Sequence, residues 1–410
     1  MHIIRYFALY LCILSDIMYD RKIYKELLVH LPKKQITVIT GMRRVGKSTS
    51  LKYLSNASNN SNQLFLDFER VENRYLFNQP SYNDVERGLT ALGINFKKPS
   101  IIALDEIQLV PASPSIIKSL YDSYDIKFIV TGSSSYYIKN HFSESLAGRK
   151  QIFEMRTLDF EEYLIFKELF DPALLNEKMS PFLFNYYERW KVHYEEYLKY
   201  GGFPEVVLAE SEIDKENYIK DIINAYIELD IKLLSDFRIS DTLYKLILLI
   251  SNRIGSKMDY SKIASITGIN RNKIKDYLEL LMYTYFIQII PPFAKGIDKE
   301  LTKQPKIYFS DTGILHSCNP ANSGALFENA IANQLSRFGS LNYFEKSNGS
   351  EIDFILNKKT AFEVKETCSI SDLTSLKRKS TLLNIKDYKL IGRNPASSGF
   401  KDFIWGGNVM

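Results

Sequence analysis

The octapeptide Gly41-Met42-Arg43-Arg44-Val45-Gly46-Lys47-Ser48 carries the first chemistry legible in the chain. Its glycines, Gly41 and Gly46, let backbone amides close around a phosphate, Lys47 brings a positive charge to the β and γ oxygens, and the Ser48 hydroxyl can ligate Mg²⁺. An apolar run, Ile36-Thr37-Val38-Ile39-Thr40, precedes it and a helical run from Thr49 to Leu54 follows, so a helix N-terminus adds its positive potential. A second apolar run, Ile101-Ile102-Ala103-Leu104, ends in Asp105-Glu106. Asp105 would hold the Mg²⁺ shell and Glu106 would polarise an attacking water. The expected ligand is ATP with Mg²⁺, bound by Gly41, Arg44, Gly46, Lys47, Ser48, Thr49 and Asp105, with Ser48 and Asp105 at the metal.

The acid next to Asp105 favours hydrolysis over phosphotransfer to an acceptor, because a kinase must keep water out. A further run, Phe128-Ile129-Val130, ends in Thr131-Gly132-Ser133-Ser134 and would set a small polar side chain beside the γ-phosphate. Ser133 is the expected sensor, with Ser134 next to it. Arg149 in Leu146-Ala147-Gly148-Arg149 reads either as an arginine finger or as a surface arginine.

These motifs resemble a prokaryotic AAA-type ATPase family that opens with an R-R-x-G-K-[ST] loop and carries a C-terminal domain of unknown function, number 4143. Leu104-Asp105-Glu106-Ile107-Gln108, Thr131-Gly132-Ser133-Ser134, Leu146-Ala147-Gly148-Arg149 and Gly201-Gly202-Phe203-Pro204-Glu205 also fit that pattern. The resemblance runs over nearly everything from Met18 and implies an ATP-binding protein, with Ser48 where Thr is more frequent. It leaves the biological role open.

Two further patterns lie downstream. Tyr260 to Ile269, a turn at Gly268, and Asn270 to Leu281 have helix-turn-helix spacing, with Ile263, Ala264, Ile269, Ile274, Leu278 and Leu281 as the expected core. Arg271, Asn272, Lys273 and Lys275 would lie exposed at the start of the second helix, where DNA readers enter the major groove. Phe286 to Ile290 and Lys306 to Phe309 would form wing strands, and contact with DNA or with protein both remain open. In the last hundred residues, Glu328 falls on a helical segment, Asp353 on a strand, and Glu363-Val364-Lys365 on the next. Period-2 geometry puts Glu363 and Lys365 on one face of their strand. This order resembles the restriction-endonuclease-like PD-(D/E)XK superfamily, which implies Mg²⁺ at Asp353 and Glu363 and a nuclease site of Glu328, Asp353, Glu363 and Lys365. A retained fold without activity is the alternative.

The elements that must position these groups follow from composition and periodicity. At 410 residues the chain should hold two to four domains at ~100–200 residues each. Apolar residues at 45% and charged residues at 25% exclude a collagen-like or mostly disordered chain. A net charge of +5 is too weak to announce nucleic-acid binding, so any basic surface must be local. The 27 Tyr and 25 Phe read as compositional bias more readily than as an aromatic binding surface. Cys12, Cys318 and Cys368 are too dispersed for a metal knuckle or disulfide framework, which fits a reducing cytoplasm. Ile3 to Ile17 resembles a short signal-peptide core but is too broken to span a bilayer. The expectation is a start at Met18 and no membrane partner.

The expected fold is α/β. Residues 1–17 form a non-native extension, 18–155 an AAA-like P-loop core with a parallel sheet, 156–240 a helical lid, 241–310 a winged helix, and 311–410 an α/β restriction-endonuclease-like domain. The expected function is a DNA-associated ATPase whose nucleotide state controls the terminal domain, with self-association or a protein partner. The alternative is an ATP-dependent signalling or scaffold switch with a silent C-terminal domain. A metabolic kinase is disfavoured by Glu106 and by accessory domains that offer no acceptor site.

Overall fold

The computed structural model describes residues 19–133, 146–171, 178–231, 240–293, 304–320, 322–346, 349–396 and 399–409. The expectations for residues 1–17 and for Ser134 lie outside them.

After α1 (Lys22–His30), the first half alternates strand and helix: β1 (Ile36–Thr40), α2 (Lys47–Ala57), β2 (Gln63–Asp67), α3 (Val71–Phe77), α4 (Tyr82–Ala91), β3 (Ser100–Asp105), α5 (Ser113–Ser123), β4 (Ile126–Gly132) and β5 (Lys150–Glu154). The strands form one sheet in the order β2-β3-β4-β1-β5, with every pairing parallel. Sheets of this kind are covered on both faces, which is why β1, β3 and β4 are buried along their whole length while the edge strands β2 and β5 are not. Alternation along each strand divides the core. Val38, Ile102, Leu104, Phe128 and Val130 pack on one side with Phe68, Phe77 and Val85, and Ile39, Ala103 and Ile129 face the other with Leu51 and Leu54.

The second core does not stop at the sheet. It runs on through α6 (Phe160–Phe166), α7 (Phe184–Tyr200), α8 (Pro204–Leu208) and α9 (Glu212–Ala225) into the C-terminal sheet. Phe160, Tyr163, Tyr194 and Tyr197 meet there, and Trp405 stacks edge-on against Phe160 and Tyr194. Much of the aromatic content therefore serves as core joining the helical segment to the terminal unit. Next come α10 (Ser240–Ser251), α11 (Tyr260–Thr267), α12 (Arg271–Tyr283) and an antiparallel hairpin of β6 (Ile287–Ile290) and β7 (Lys306–Phe309). Gly268 turns between α11 and α12 at φ 70°, and of the expected core Ile263, Ile269, Ile274, Leu278 and Leu281 are buried while Ala264 is half-buried.

The chain ends in α13 (Thr312–Cys318), α14 (Ser323–Leu335), β8 (Leu341–Glu345), β9 (Glu351–Leu356), β10 (Thr360–Thr367), α15 (Ile370–Leu382), β11 (Asp387–Asn394) and β12 (Ile404–Trp405). Its sheet has the order β12-β11-β10-β9-β8, antiparallel from β8 to β10 and parallel from β10 to β12. Of these strands, β8, β11 and β12 carried no sequence expectation. Among the described residues, no helix is long and apolar enough to cross a membrane.

Charged groups tie these parts together under the glycine loop. Arg21 donates to Glu162 at 3.0 Å, to the Val45 carbonyl at 3.0 Å and to the Arg156 carbonyl at 2.8 Å, and is buried throughout. Asp159 and Glu162 form a capping box at the start of α6. Burial alone would raise the Asp159 carboxyl, but Arg337 from the end of α14 and Lys22 hold it below the usual range. Arg156 in turn donates to Ser336 at 2.7 Å.

Gly202 is a tight joint between the helical segment and the chain leaving the sheet. A Cβ there would lie 2.2 Å from the Leu158 carbonyl oxygen. Its carbonyl accepts from the Leu158 amide at 2.7 Å, and its own amide donates to Asp311 at 2.9 Å. Gly202→Ala should therefore destabilise the chain by about 1–3 kcal/mol, the usual cost of overpacking, read as a lower midpoint in thermal or urea denaturation. Wild-type stability would mean that the backbone shifts freely at this joint.

Candidate nucleotide-binding site

The loop after β1 follows from what surrounds the end of that strand. Met155 donates its amide to the Thr40 carbonyl at 2.7 Å, and its own carbonyl crowds the next position, so that a Cβ on Gly41 would lie 2.1 Å from it. Gly41 at φ 148° and Gly46 at φ 99° adopt backbone that disfavours other residues. The chain thus bends back over the N-terminus of α2, and Lys47 folds under the loop, donating to the carbonyls of Gly41 at 3.1 Å and Met42 at 2.8 Å. A phosphate at the loop would draw that ammonium out of these two bonds.

Across from the loop, Asp105 and Glu106 leave the end of β3, both buried. Burial pushes the Asp105 carboxyl up, against hydrogen bonds from Ser48 and Thr131 that favour its charged form. Thr131, at the end of β4, donates to Asp105 and accepts the Glu106 amide at 3.0 Å. Glu106 sits at φ 53°, the left-handed region that non-glycine residues rarely enter. The Gln108 amide nitrogen donates both to Glu106 and, at 3.1 Å, to the Ser133 hydroxyl. Thus the acid and the expected sensor are joined through one side chain.

Arg44, Gly46, Lys47, Ser48, Thr49, Asp105 and Glu106 line one cleft of about 590 Å³, together with Phe65, Asn73, Pro204 and Glu205. It opens at the carboxyl ends of parallel strands, beside β1, where open α/β sheets bind ligands. The donor set fits Mg²⁺ with a nucleotide triphosphate. The loop has no side chain at the crowded turn, and the Ser48 hydroxyl already bonds the one carboxylate expected to share a cation with it.

Arg149 is not brought to this cleft. Its carbonyl accepts from the Ile36 amide at the start of β1, four residues and about 13 Å from that strand's end, and its guanidinium pairs with Asp122 at 3.0 Å. A finger acting within the same chain is excluded by that placement. Thr131, Gln108 and Glu205 were not singled out from sequence. Each nevertheless had a visible signal, its place in the Leu-Asp-Glu-Ile-Gln, Thr-Gly-Ser-Ser or Gly-Gly-Phe-Pro-Glu run.

The C-terminal acids come together in part. The last paired residues of β9 and β10 are Phe354 and Phe362, so Asp353 and Glu363 follow on adjacent strands. Asp353 accepts from the Val364 amide at 2.7 Å. Glu363 gives one oxygen to Lys365 at 3.1 Å and the other to Lys379 at 2.6 Å. Glu328 accepts from the Tyr308 hydroxyl at 2.7 Å, and Lys306, buried on β7, lies 3.8 Å from it and pairs with Glu351. Among the described residues, no group of three or more acids, histidines or cysteines is arranged to hold a metal ion. Ammonium groups thus hold Glu328, Glu351 and Glu363, while Asp353 is held by a backbone amide.

Three family models match stretches of this chain. Residues 33–164 match the family model described as an AAA domain, residues 191–324 a domain of unknown function (DUF8612), and residues 323–398 a domain of unknown function (DUF4143). Residues 33–164 are therefore similar to AAA domains, and the two stretches that follow are similar to domains without assigned function. An uncharacterized protein of Haemophilus influenzae is 27% identical over 405 residues, covering 92% of this chain and 94% of its own. One of Methanocaldococcus jannaschii is 26% identical over 386 residues, covering 90% and 82%. Among solved structures, a Thermotoga maritima RuvB variant aligns with a TM-score of 0.34 at 14% identity, covering 68% of this chain and 92% of that one. The Aeropyrum pernix ORC1 protein in complex with DNA aligns at 0.31 and 11%, covering 75% and 94%.

The acid cluster generates a test of its own. Burial first, then Glu328 and Glu363, push the Asp353 carboxyl up to about 7. The folded chain therefore keeps a proton that the unfolded chain releases in the ordinary carboxylate range, so this group's contribution to stability falls as pH rises between that range and about 7. Asp353→Asn should flatten the decline and melt higher than wild type above neutrality, with little difference at pH 4. Parallel melting curves across pH 4–8 would contradict the assignment.

Proposed function

We propose that this chain is a Mg²⁺-dependent ATPase whose nucleotide state acts on the units that follow the AAA-type domain. The observation that carries the reading is the convergence of Lys47, Ser48, Asp105 and Glu106 on one cleft at the strand ends. Mg²⁺, when bound, screens the phosphate charge and orients the terminal phosphate. Lys47 exchanges its loop carbonyls for phosphate oxygens, and Ser48 and Asp105 hold the cation. Glu106 accepts the proton of the attacking water. Gln108 fixes Glu106 relative to Ser133, so the base and the proposed sensor respond as one unit. On this reading Arg149, paired with Asp122 at the far end of β1, is a surface arginine and takes no part in the chemistry.

The domain partition proposed is a core to residue 155, a helical segment to 240, a winged helix to 310 and the terminal α/β unit. DNA is the proposed partner of the winged helix. Support comes from Arg271, Asn272, Lys273 and Lys275, all exposed on the first turns of α12, with the hairpin β6-β7 beside it. For the terminal unit the switch reading gains ground, because both oxygens of Glu363 are held by lysines. With the cysteines Cys318 and Cys368 free, the proposed location is the cytoplasm.

Lys47→Ala should weaken ATP binding about 10–100-fold, since a hydrogen bond to a charged group is worth about 1.5–3 kcal/mol. Glu106→Gln should keep ATP bound and lower turnover about 100-fold or more. Equilibrium binding of a fluorescent ATP analogue and phosphate release measure the two, and unchanged values in either would move the site. In the same preparations, duplex DNA binding should fall steeply with salt. Salt-independent or absent binding would assign α12 to protein contact.

A further inference from the structure

Both arginines of the glycine loop reach across the mouth of the cleft to a carboxylate. Arg43 meets Glu69 at 3.2 Å, and Arg44 meets Glu205 at 3.1 Å. Glu205 is out of place in a cleft meant for a triphosphate, since its charge has the same sign as the ligand. Its position is nevertheless fixed. It stands in the first turn of α8, directly after Gly201-Gly202-Phe203-Pro204, and that turn is clamped by Asp311. The Asp311 carboxylate accepts the Gly202 amide at 2.9 Å and the Gly313 amide at 2.8 Å, and a Cβ on Gly201 would lie 1.9 Å from one of its oxygens. Asp311 closely follows β7, the second strand of the hairpin. A short, stiff path therefore connects Arg44 to the unit that carries α12.

The Arg44–Glu205 pair is itself weak. Both side chains are substantially exposed, at 36% and 45%, and exposed ion pairs contribute little. A phosphate accepts bidentate bonds from a guanidinium more strongly than an exposed carboxylate does. Arg44 also sits at φ 65°, on a loop whose backbone already faces the cleft.

We propose that Glu205 is the nucleotide-state sensor of this protein: Arg44 rests on Glu205 when the cleft lacks a terminal phosphate and exchanges it for the γ-phosphate when ATP binds, freeing α8. This rests on the ATP-site reading above and adds to it a residue that discriminates ATP from ADP and reports the difference to the hairpin. No covalent step is involved. The exchange costs one ion pair and gains one, so Glu205 competes with ATP for Arg44 and opposes ATP binding.

The test is a set of titrations of the full chain with fluorescent ATP and ADP analogues, comparing wild type, Glu205→Gln, Glu205→Ala, Arg44→Ala and the double variant Arg44→Ala/Glu205→Gln. Removing the competing carboxylate should tighten ATP binding up to about fivefold and ADP binding much less. The double variant should match Arg44→Ala alone, because Glu205 acts through Arg44. Melting midpoints of the Glu205 variants should equal wild type, since the pair is exposed. Unchanged or weaker ATP binding in both Glu205 variants overturns the proposal, as does an equal gain for ADP or a gain that survives without Arg44. If instead wild type shows no binding that Lys47→Ala removes, the ATP-site reading falls first and takes the sensor with it.

Discussion

The close approach of the Met155 carbonyl to the end of β1 is the constraint on which the rest depends. It leaves no room for a side chain at position 41, so the chain must turn there with bare backbone, and bare backbone is what a phosphate requires. The turn works only because β1 lies between β4 and β5, with its end flush with the ends of β3 and β4. Parallel pairing then delivers Asp105, Glu106, Thr131 and Ser133 to the same edge of the sheet as Lys47. None of these groups needs a loop of its own to reach the others.

The same neighbourhood carries the joint to the later units. Met155 leads into Arg156, Thr157 and the Asp159–Glu162 capping box, where Arg21, Lys22 and Arg337 arrive from the two ends of the chain. Buried ion pairs of this sort contribute little net stability compared with apolar packing, but removing one partner is costly. Their consequence here is register. Arg21 fixes the Val45 carbonyl inside the glycine loop while Arg337 fixes Thr157 from the terminal unit. The loop and the C-terminal unit thus share one set of charges, and the aromatic core behind them, from Phe160 to Trp405, keeps that set in place.

The terminal unit shows how lysines alter an acidic site. Asp353, Glu363 and Glu328 occupy the elements that their sequence order suggested, yet Lys365 and Lys379 take both oxygens of Glu363, and Lys306 enters from the hairpin. Lys365 was visible as part of the E-x-K run. Lys379 was not, because it comes from α15, and no periodicity within β10 reveals which helix will cover it.

Most of the residues that line the cleft beside β1 were legible in the sequence, and the physical reason is local. A phosphate cradle needs glycines at fixed spacing between a strand and a helix, and a cation site needs acids where a buried strand ends, so Gly41, Lys47, Ser48, Asp105 and Glu106 announce themselves within short windows. The helix pair α11–α12 was legible for the same reason, through the periodicity of Ile263, Ile274 and Leu278 around Gly268. Tertiary structure alone decided the partners that come from far along the chain: Thr131 on Asp105, Glu205 on Arg44, Asp311 on Gly202, and Lys379 on Glu363. Each of these joins residues from elements whose adjacency depends on strand order and on the packing of a common core, and neither is written in the spacing of the residues themselves.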